Sequence, residues 1–196
     1  SMKIAFFDFD GTITKEDSTI KFIRFFSGDL RYIIGIIVLS PLLILYKLNI
    51  LSNNYIKKVI ITYFFKGISE VYFKNQVKLF SSSIINKLIR KKALDRLDWH
   101  KNQGHKIVVV SASINLWLQD WCDFNNFALI ASELEIINGR ITGNLLSNNC
   151  HGPEKVKRIL DKYNLSDYTY IYAYGNSRGD YEMLDIANEK YYKPFR

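Results

Sequence analysis

Two cysteines in 196 residues, Cys122 and Cys150, are too few for a disulfide framework and too isolated for a zinc site, even with His151 beside Cys150. A reduced, cytoplasmic setting is therefore expected. The start of the chain lacks a basic region followed by an apolar one and a cleavage site. Lys3 to Phe7 leads straight into acidic residues, so no cleavable leader is expected. Long hydrophobic runs are also missing. Tyr32 to Tyr46 is 15 residues without a charge, interrupted by Pro41. A spanning helix wants ~20 apolar residues, so a buried pair of cap helices is expected there rather than a membrane span. Internal repeats and low-complexity segments are absent, which excludes a solenoid. Charge of one sign does not dominate: 27 basic against 19 acidic residues leave +8. The densest basic cluster, Arg90-Lys91-Lys92, fits a solvated helix end as well as an anionic partner, and no nucleic acid is expected.

Apolar residues make up 48 % of the chain, enough for a substantial core in one domain or one domain with a large insertion. Short apolar runs at Lys3 to Phe7, Lys106 to Val110, Phe127 to Ala131 and Thr169 to Tyr174 are mostly followed by a small polar turn and then a helical pattern. Buried parallel strands read this way. The expected architecture is a doubly wound α/β parallel sheet, with ligands bound where the strands' carboxyl ends gather. Between the first two strands, Ile56 to Phe65 and Val71 to Leu88 carry helical spacing, which predicts an inserted helical cap. The division expected is 1–16 and 99–196 for the core and 17–98 for the cap. Asn138-Gly139 between apolar runs in Leu134 to Leu146 predicts a β-hairpin.

The chemistry begins at Asp8-Phe9-Asp10-Gly11-Thr12, directly after the first strand. Two carboxylates at i and i+2 repel one another unless a cation or a shared proton is present, so the pair is costly as a mere turn. Gly11 allows the sharp exit from the strand. Ser111 ends the strand from Lys106, and with Asn115 and the helical pattern Leu116 to Phe124 behind it can aim its hydroxyl and the nearby amides of Ala112 and Ser113 at an anion. Gly152-Pro153 opens a helix and puts Lys155 in its first turn, where the dipole disfavours a cation unless an anion is near. Asp180 precedes the pattern Tyr181 to Ala187. It could simply cap that helix, or with Asn176 form one wall of an oxygen-ligand site suited to Mg²⁺.

Taken together, Asp8-x-Asp10-Gly11-Thr12, Ser111, Lys155 and Gly175-Asn176-Ser177-Arg178-Gly179-Asp180 resemble, in order and after the right elements, the four motifs of the haloacid dehalogenase superfamily. The helical insert resembles the subclass typified by phosphoserine phosphatases. The apolar insert Ile33 to Tyr46 and Cys150 to Lys155 are closer to its phosphatidylglycerophosphatase C-like branch. The resemblance implies a Mg²⁺-dependent phosphomonoester hydrolase with Asp8 as nucleophile and Asp10 as acid/base. Ser111 and Lys155 would join them in catalysis, and Asp8, Asp10, Asn176 and Asp180 would hold the metal. Gly11, Thr12, Asp17, Ser18, Ala112 and Ser113 would contact substrate, a small or lipid-linked phosphomonoester. The family's usual residue at position 176 is aspartate, so Asn176 removes one negative charge from the metal site. Two alternatives remain at this point: a phosphomutase, and a catalytically weak phosphate-binding module. Phe22, Phe25 and Phe26 precede the apolar insert at helical spacing, with Lys21, Arg24, Arg31 and Lys47 around it. They could offer an apolar face to an anionic membrane surface, or simply form the cap's core.

Overall fold

The computed structural model describes residues 2–196. Its strands are the apolar runs expected: β1 (Lys3–Phe7), β2 (Lys106–Ile114), β3 (Ala128–Ser132) and β6 (Tyr170–Gly175). With a further strand β7 (Glu189–Tyr192) at one edge, every neighbour in the sheet, ordered β3-β2-β1-β6-β7, is parallel. Ile4, Phe6, Val108 and Val110 face one side and Ala5, Phe7, Ile107 and Val109 the other, and each set is buried in its own apolar cluster. That two-sided burial is why these strands read as continuous apolar runs rather than alternating ones. β1 lies at the centre, so Asp8 leaves the sheet at the crevice where the strand order reverses.

The edge strand β7 (Glu189–Tyr192) was not foreseen. It is four residues long and alternates half-buried with exposed side chains, too brief a pattern to separate from a loop. β2 is longer than expected and runs past Ser111 to Ile114, with its register shifted between the two. The Asn138-Gly139 turn joins β4 (Leu134–Ile137) and β5 (Arg140–Leu145) in the expected antiparallel hairpin.

The insert holds α1 (Ser18–Ser27), α2 (Asp29–Lys47), α3 (Asn53–Phe65), α4 (Glu70–Phe80) and the short α5 (Asn86–Leu88). The chain leaves the core at Thr14 and returns at Ile89, where the two segments form an antiparallel bridge. Lys15 N donates to Leu88 O at 2.8 Å and Arg90 N to Ile13 O at 2.8 Å. We place the boundary of the insert at this crossing. On that division α6 (Lys91–Asn102) goes with the core: its Arg96 Nε donates to the hydroxyl of Tyr174 at 2.6 Å. α7 (Asn115–Phe124), α8 (Pro153–Lys162) and the short α9 (Tyr181–Asp185) complete the core layers.

The segment expected as a buried helix pair broken at Pro41 is instead one helix, α2, and most of it is exposed. Pro41 has no N–H for the carbonyl of Ile37, but the Ser40 hydroxyl donates to that carbonyl at 2.7 Å, so the helix continues. α2 is long and apolar enough to cross a membrane by length and composition, and 11 % of it is buried. Phe22 is fully buried against Trp117, Phe65, Phe73 and Phe80, and Phe26 packs on Phe65 and Phe73. The phenylalanines of α1 therefore belong to the core that joins cap to sheet domain, the second of the two readings offered for them. The hairpin props the cap from the other side: Gly67 N donates to Ile141 O, and Ile141 N to Ile68 O. Gly143 at φ +97° lies so close to α3 that a Cβ would sit 2.4 Å from Thr62 Oγ1.

Candidate active site

Beyond β1 the chain turns through Phe9–Ile13 with Gly11 at φ +78°. Any side chain at position 11 would be strained by that dihedral and would also strike Asn176, whose Nδ2 would lie 2.2 Å from an added Cβ. The first and fourth motifs thus touch through a glycine. The turn aims Asp8 and Asp10 into a pocket of about 250 Å³ bordered also by Asp17, Ala112, Ser113, Lys155, Asn176 and Asp180.

Lys155 sits in the first turn of α8 and is almost completely buried. Its Nζ donates to Asp8 Oδ1 at 2.7 Å, Asp180 Oδ1 at 2.7 Å and the carbonyl of Val110 at 2.9 Å. This is the anion that the position of Lys155 near a helix N-terminus demanded. Burial alone would lower its pKa, but the carboxylates of Asp8 and Asp180 overcome that and raise it. Thr12 Oγ1 donates to the other Asp8 oxygen at 2.9 Å, so both oxygens of Asp8 are fixed. Even so, burial pushes Asp8 up to about 7, opposed by Lys155 and aided by Asp180 and Asp10.

Asp10 is held differently. Ser18 N donates to its Oδ1 at 2.6 Å, and the Ser113 hydroxyl donates to its Oδ2. Burial and the charge of Asp17 push its pKa up to about 6, with Ser113 and Ser18 opposing. A carboxyl group poised there can give and take a proton near neutrality. Asp180 Oδ2 accepts from the amides of Asn176 at 2.9 Å and Ser177 at 3.2 Å, which fixes the loop after β6.

Asp8 and Asp180 therefore share one buried ammonium, while Asp10 beside them is held by neutral donors alone. Burial leaves the two on the first motif with raised pKa values, an excess of negative charge that a divalent cation would relieve. Asn176 borders the same pocket, and its side chain makes no hydrogen bond to another described residue. The donor set fits Mg²⁺, which takes one or two carboxylates and keeps several waters.

The other residues singled out in the sequence fall on both sides of the expectation. Asp17 borders the pocket, but it also caps α1 by accepting from Ile20 N at 3.1 Å. Ser18 is buried behind Asp10, where Trp117 Nε1 donates to its hydroxyl at 3.1 Å. Ser111 does not border the pocket; its hydroxyl accepts from Ser113 N at 3.0 Å and shapes the bend that presents Ala112 and Ser113. Five pocket residues were not among the expected site residues: Thr19, Lys57, His151, Ser177 and Gly179. Thr19 Oγ1 lies 3.0 Å from Ser113 Oγ. Lys57, half-buried on α3, forms no ion pair with a described residue; burial lowers its pKa, with Asp17 and Asp10 opposing. Only the docking of the cap brings Lys57 here, so nothing local in the sequence marked it.

The haloacid dehalogenase-like hydrolase family model matches residues 5–185 of this chain. The chain belongs to that family. It is 34 % identical over 192 residues to Protein CicA of Caulobacter vibrioides, covering 97 % of this chain and 85 % of that protein. Among solved structures, a protein of unknown function from Bordetella pertussis Tohama I superposes with a TM-score of 0.84 at 20 % identity, covering 97 % of this chain and 89 % of the other. A substrate-bound phosphoserine phosphatase superposes with a TM-score of 0.66 at 16 % identity, over 98 % and 86 % of the two chains. The fold of this family member, including the helical insert between its first two strands, is thus shared with phosphoserine phosphatases.

Proposed function

We propose that this hydrolase is a Mg²⁺-dependent phosphatase of phosphomonoesters that works through an aspartyl-phosphate on Asp8. The observation that carries the reading is the unequal holding of two neighbouring carboxylates. Asp8 is clamped by Lys155 and Thr12, while Asp10 sits half-buried on Ser18 and Ser113 with its pKa near 6. An ammonium partner favours the anionic form that a nucleophile needs, and a carboxyl held only by neutral donors is free to give and take a proton. An oxygen of Asp8 attacks phosphorus as the ester P–O bond breaks, and Asp10 gives its proton to the departing oxygen. Asp10 then takes a proton from the water that attacks the same phosphorus, releasing phosphate and freeing Asp8.

Lys155 stays protonated throughout and offsets the charge on the transferring group, since phosphoryl transfer depends chiefly on positioning and electrostatics. The Thr12 hydroxyl steadies the attacking Asp8, and the bend at Ala112 and Ser113 borders the place that the phosphate takes. Mg²⁺, which Asp8, Asp10, Asn176 and Asp180 would hold, supplies the neutralisation that lets two anions approach. The likeness to phosphoserine phosphatases supports the reaction type. The test is phosphate release from p-nitrophenyl phosphate with and without Mg²⁺, in the wild type and in Asp8→Asn. Release that needs both Mg²⁺ and Asp8 supports the reading. Equal rates in a folded Asp8→Asn protein contradict it.

A further inference from the structure

α2 is apolar on every side, and a helix of that kind is ordinarily covered all round. Here only its inner face is covered. Gly35 and Leu39 are buried, Tyr32 and Leu43 pack half-buried on the core, and a Cβ at Gly35 would come within 2.5 Å of the Phe64 ring. The outer face is open. At about 3.6 residues per turn, Leu30, Ile34, Ile37, Pro41, Ile44 and Leu48 fall on one stripe opposite Gly35 and Leu39, spaced alternately four and three apart. Ile33 and Val38 widen it, and the seven branched aliphatic side chains range from 47 % exposed at Ile34 to 74 % at Leu30. No charged residue interrupts the stripe; Asp29, Arg31 and Lys47 stand at its edges.

The chemistry of the stripe says what covers it. A helix lying in a bilayer surface joins its apolar face to a polar one rich in lysine and arginine, and carries tryptophan or phenylalanine at the boundary. α2 has neither feature. Its opposite face is packed into the insert, it contains no tryptophan or phenylalanine, and the hydroxyl of Tyr46 is turned inward to accept from Asn53 Nδ2 at 3.0 Å. A second copy of the same stripe fits better. Alternate spacing of four and three is the pattern by which two helices interlock their side chains, crossing at ~20°. Set antiparallel about a two-fold axis, Leu30 and Ile34 of one copy meet Leu48 and Ile44 of the other, and Asp29 of each comes beside Lys47 of the other. The edge charges are thus complementary. Asp29 pairs with Arg24 of its own chain at 2.7 Å, whereas Lys47 forms no ion pair with a described residue. With roughly 100 Å² left exposed on each aliphatic side chain, the stripe offers roughly 700 Å² per copy, close to the ~800 Å² that each side of a stable interface buries.

We propose that the outer face of α2 is the interface of a homodimer, in which the inserts of two copies pair through antiparallel α2 helices. No residue of the stripe borders the catalytic pocket, so each copy keeps its own complete site and the interface can be altered without touching it.

Sedimentation equilibrium of the intact protein, free of lipid and detergent, tests the assignment. The wild type should be dimeric at about 100 µM, within reach of an interface of this size. Ile37→Glu lies at the middle of the stripe, is exposed in the single chain and enters a symmetric contact twice; at about tenfold for each copy, it should raise the dissociation constant about a hundredfold. Lys47→Glu should weaken the dimer by a smaller factor, and adding Asp29→Lys should restore it. Melting profiles and p-nitrophenyl phosphate turnover like those of the wild type show that the variants are folded. A wild type that stays monomeric at about 100 µM overturns the proposal, as does a dimer that Ile37→Glu leaves unchanged. Flotation with vesicles of phosphatidylcholine and phosphatidylglycerol separates the other occupant: a monomer that floats with them, and ceases to in Ile37→Glu, assigns the stripe to a bilayer and overturns the dimer.

Discussion

Replacing Lys155 with methionine removes one charge from the centre of the site while nearly keeping the side chain's length. Three acceptors lose their donor: Asp8 Oδ1, Asp180 Oδ1 and the carbonyl of Val110. Both carboxylates are almost completely buried, so neither can turn to water in compensation. Removing one partner of a buried ion pair typically costs about 3–5 kcal/mol, because the other charge is left uncompensated. For a chain of this size each kcal/mol moves the melting temperature by roughly 2–4 °C, so a fall on the order of 10 °C is expected. The loss must also depend on pH. Asp8 already titrates at about 7, well above its ordinary 3.8, and losing Lys155 raises it further. A carboxyl whose folded pKa is raised stabilises the fold at low pH, and that contribution disappears as pH rises through the folded value. The gap between variant and wild type should therefore be widest above pH 7 and narrow toward pH 5. Thermal melts in EDTA across that range decide the matter. A loss of under about 2 °C at pH 8, or one that widens on acidification, would refute the assignment of Lys155 as the counter-ion.

Asp10→Asn should keep a burst of p-nitrophenol from p-nitrophenyl phosphate, because a good leaving group needs little protonation, while slowing steady-state hydrolysis; equal losses in burst and steady-state rates would remove Asp10 from that role. Asn176→Asp should tighten Mg²⁺ binding in a titration by adding an anionic oxygen, and unchanged affinity would place position 176 outside the metal's ligands. His100 is fully buried, with Nε2 2.9 Å from the Tyr174 hydroxyl, and burial together with Arg96 and His105 pushes its pKa down to about 3. Its contribution is complete above the ordinary pKa of 6.5 and is lost as pH falls toward 3, an effect of about 4–5 kcal/mol. Denaturant titrations of His100→Gln should show a flatter stability–pH slope through that window than the wild type; parallel slopes would count against it.

The residues proposed as catalytic were legible in the sequence because each follows a strand or opens a helix. Asp8 leaves an apolar run, Lys155 follows Gly152-Pro153, and Asp180 follows the strand that ends at Gly175. Local pattern alone fixes such positions. What escaped depends on tertiary docking: Lys57 reaches the pocket only because α3 is pinned by the hairpin at Gly143 and Thr62. The continuity of α2 through Pro41 depends on one serine hydroxyl, which no propensity argument weighs. Ser111 was the reverse case: β2 continues beyond it, and the bend hands its expected place in the pocket to Ala112 and Ser113.

The central claim is that Asp8 carries the phosphoryl group. Rapid acid quenching of the enzyme during turnover of a radiolabelled phosphomonoester, followed by peptide mapping, tests it directly. The account predicts acid-stable, base-labile label on the peptide containing Asp8, absent from Asp8→Asn. Label on another residue, or burst-free turnover with no labelled protein at any quench time in an Asp10→Asn background that should retain it, would contradict the account.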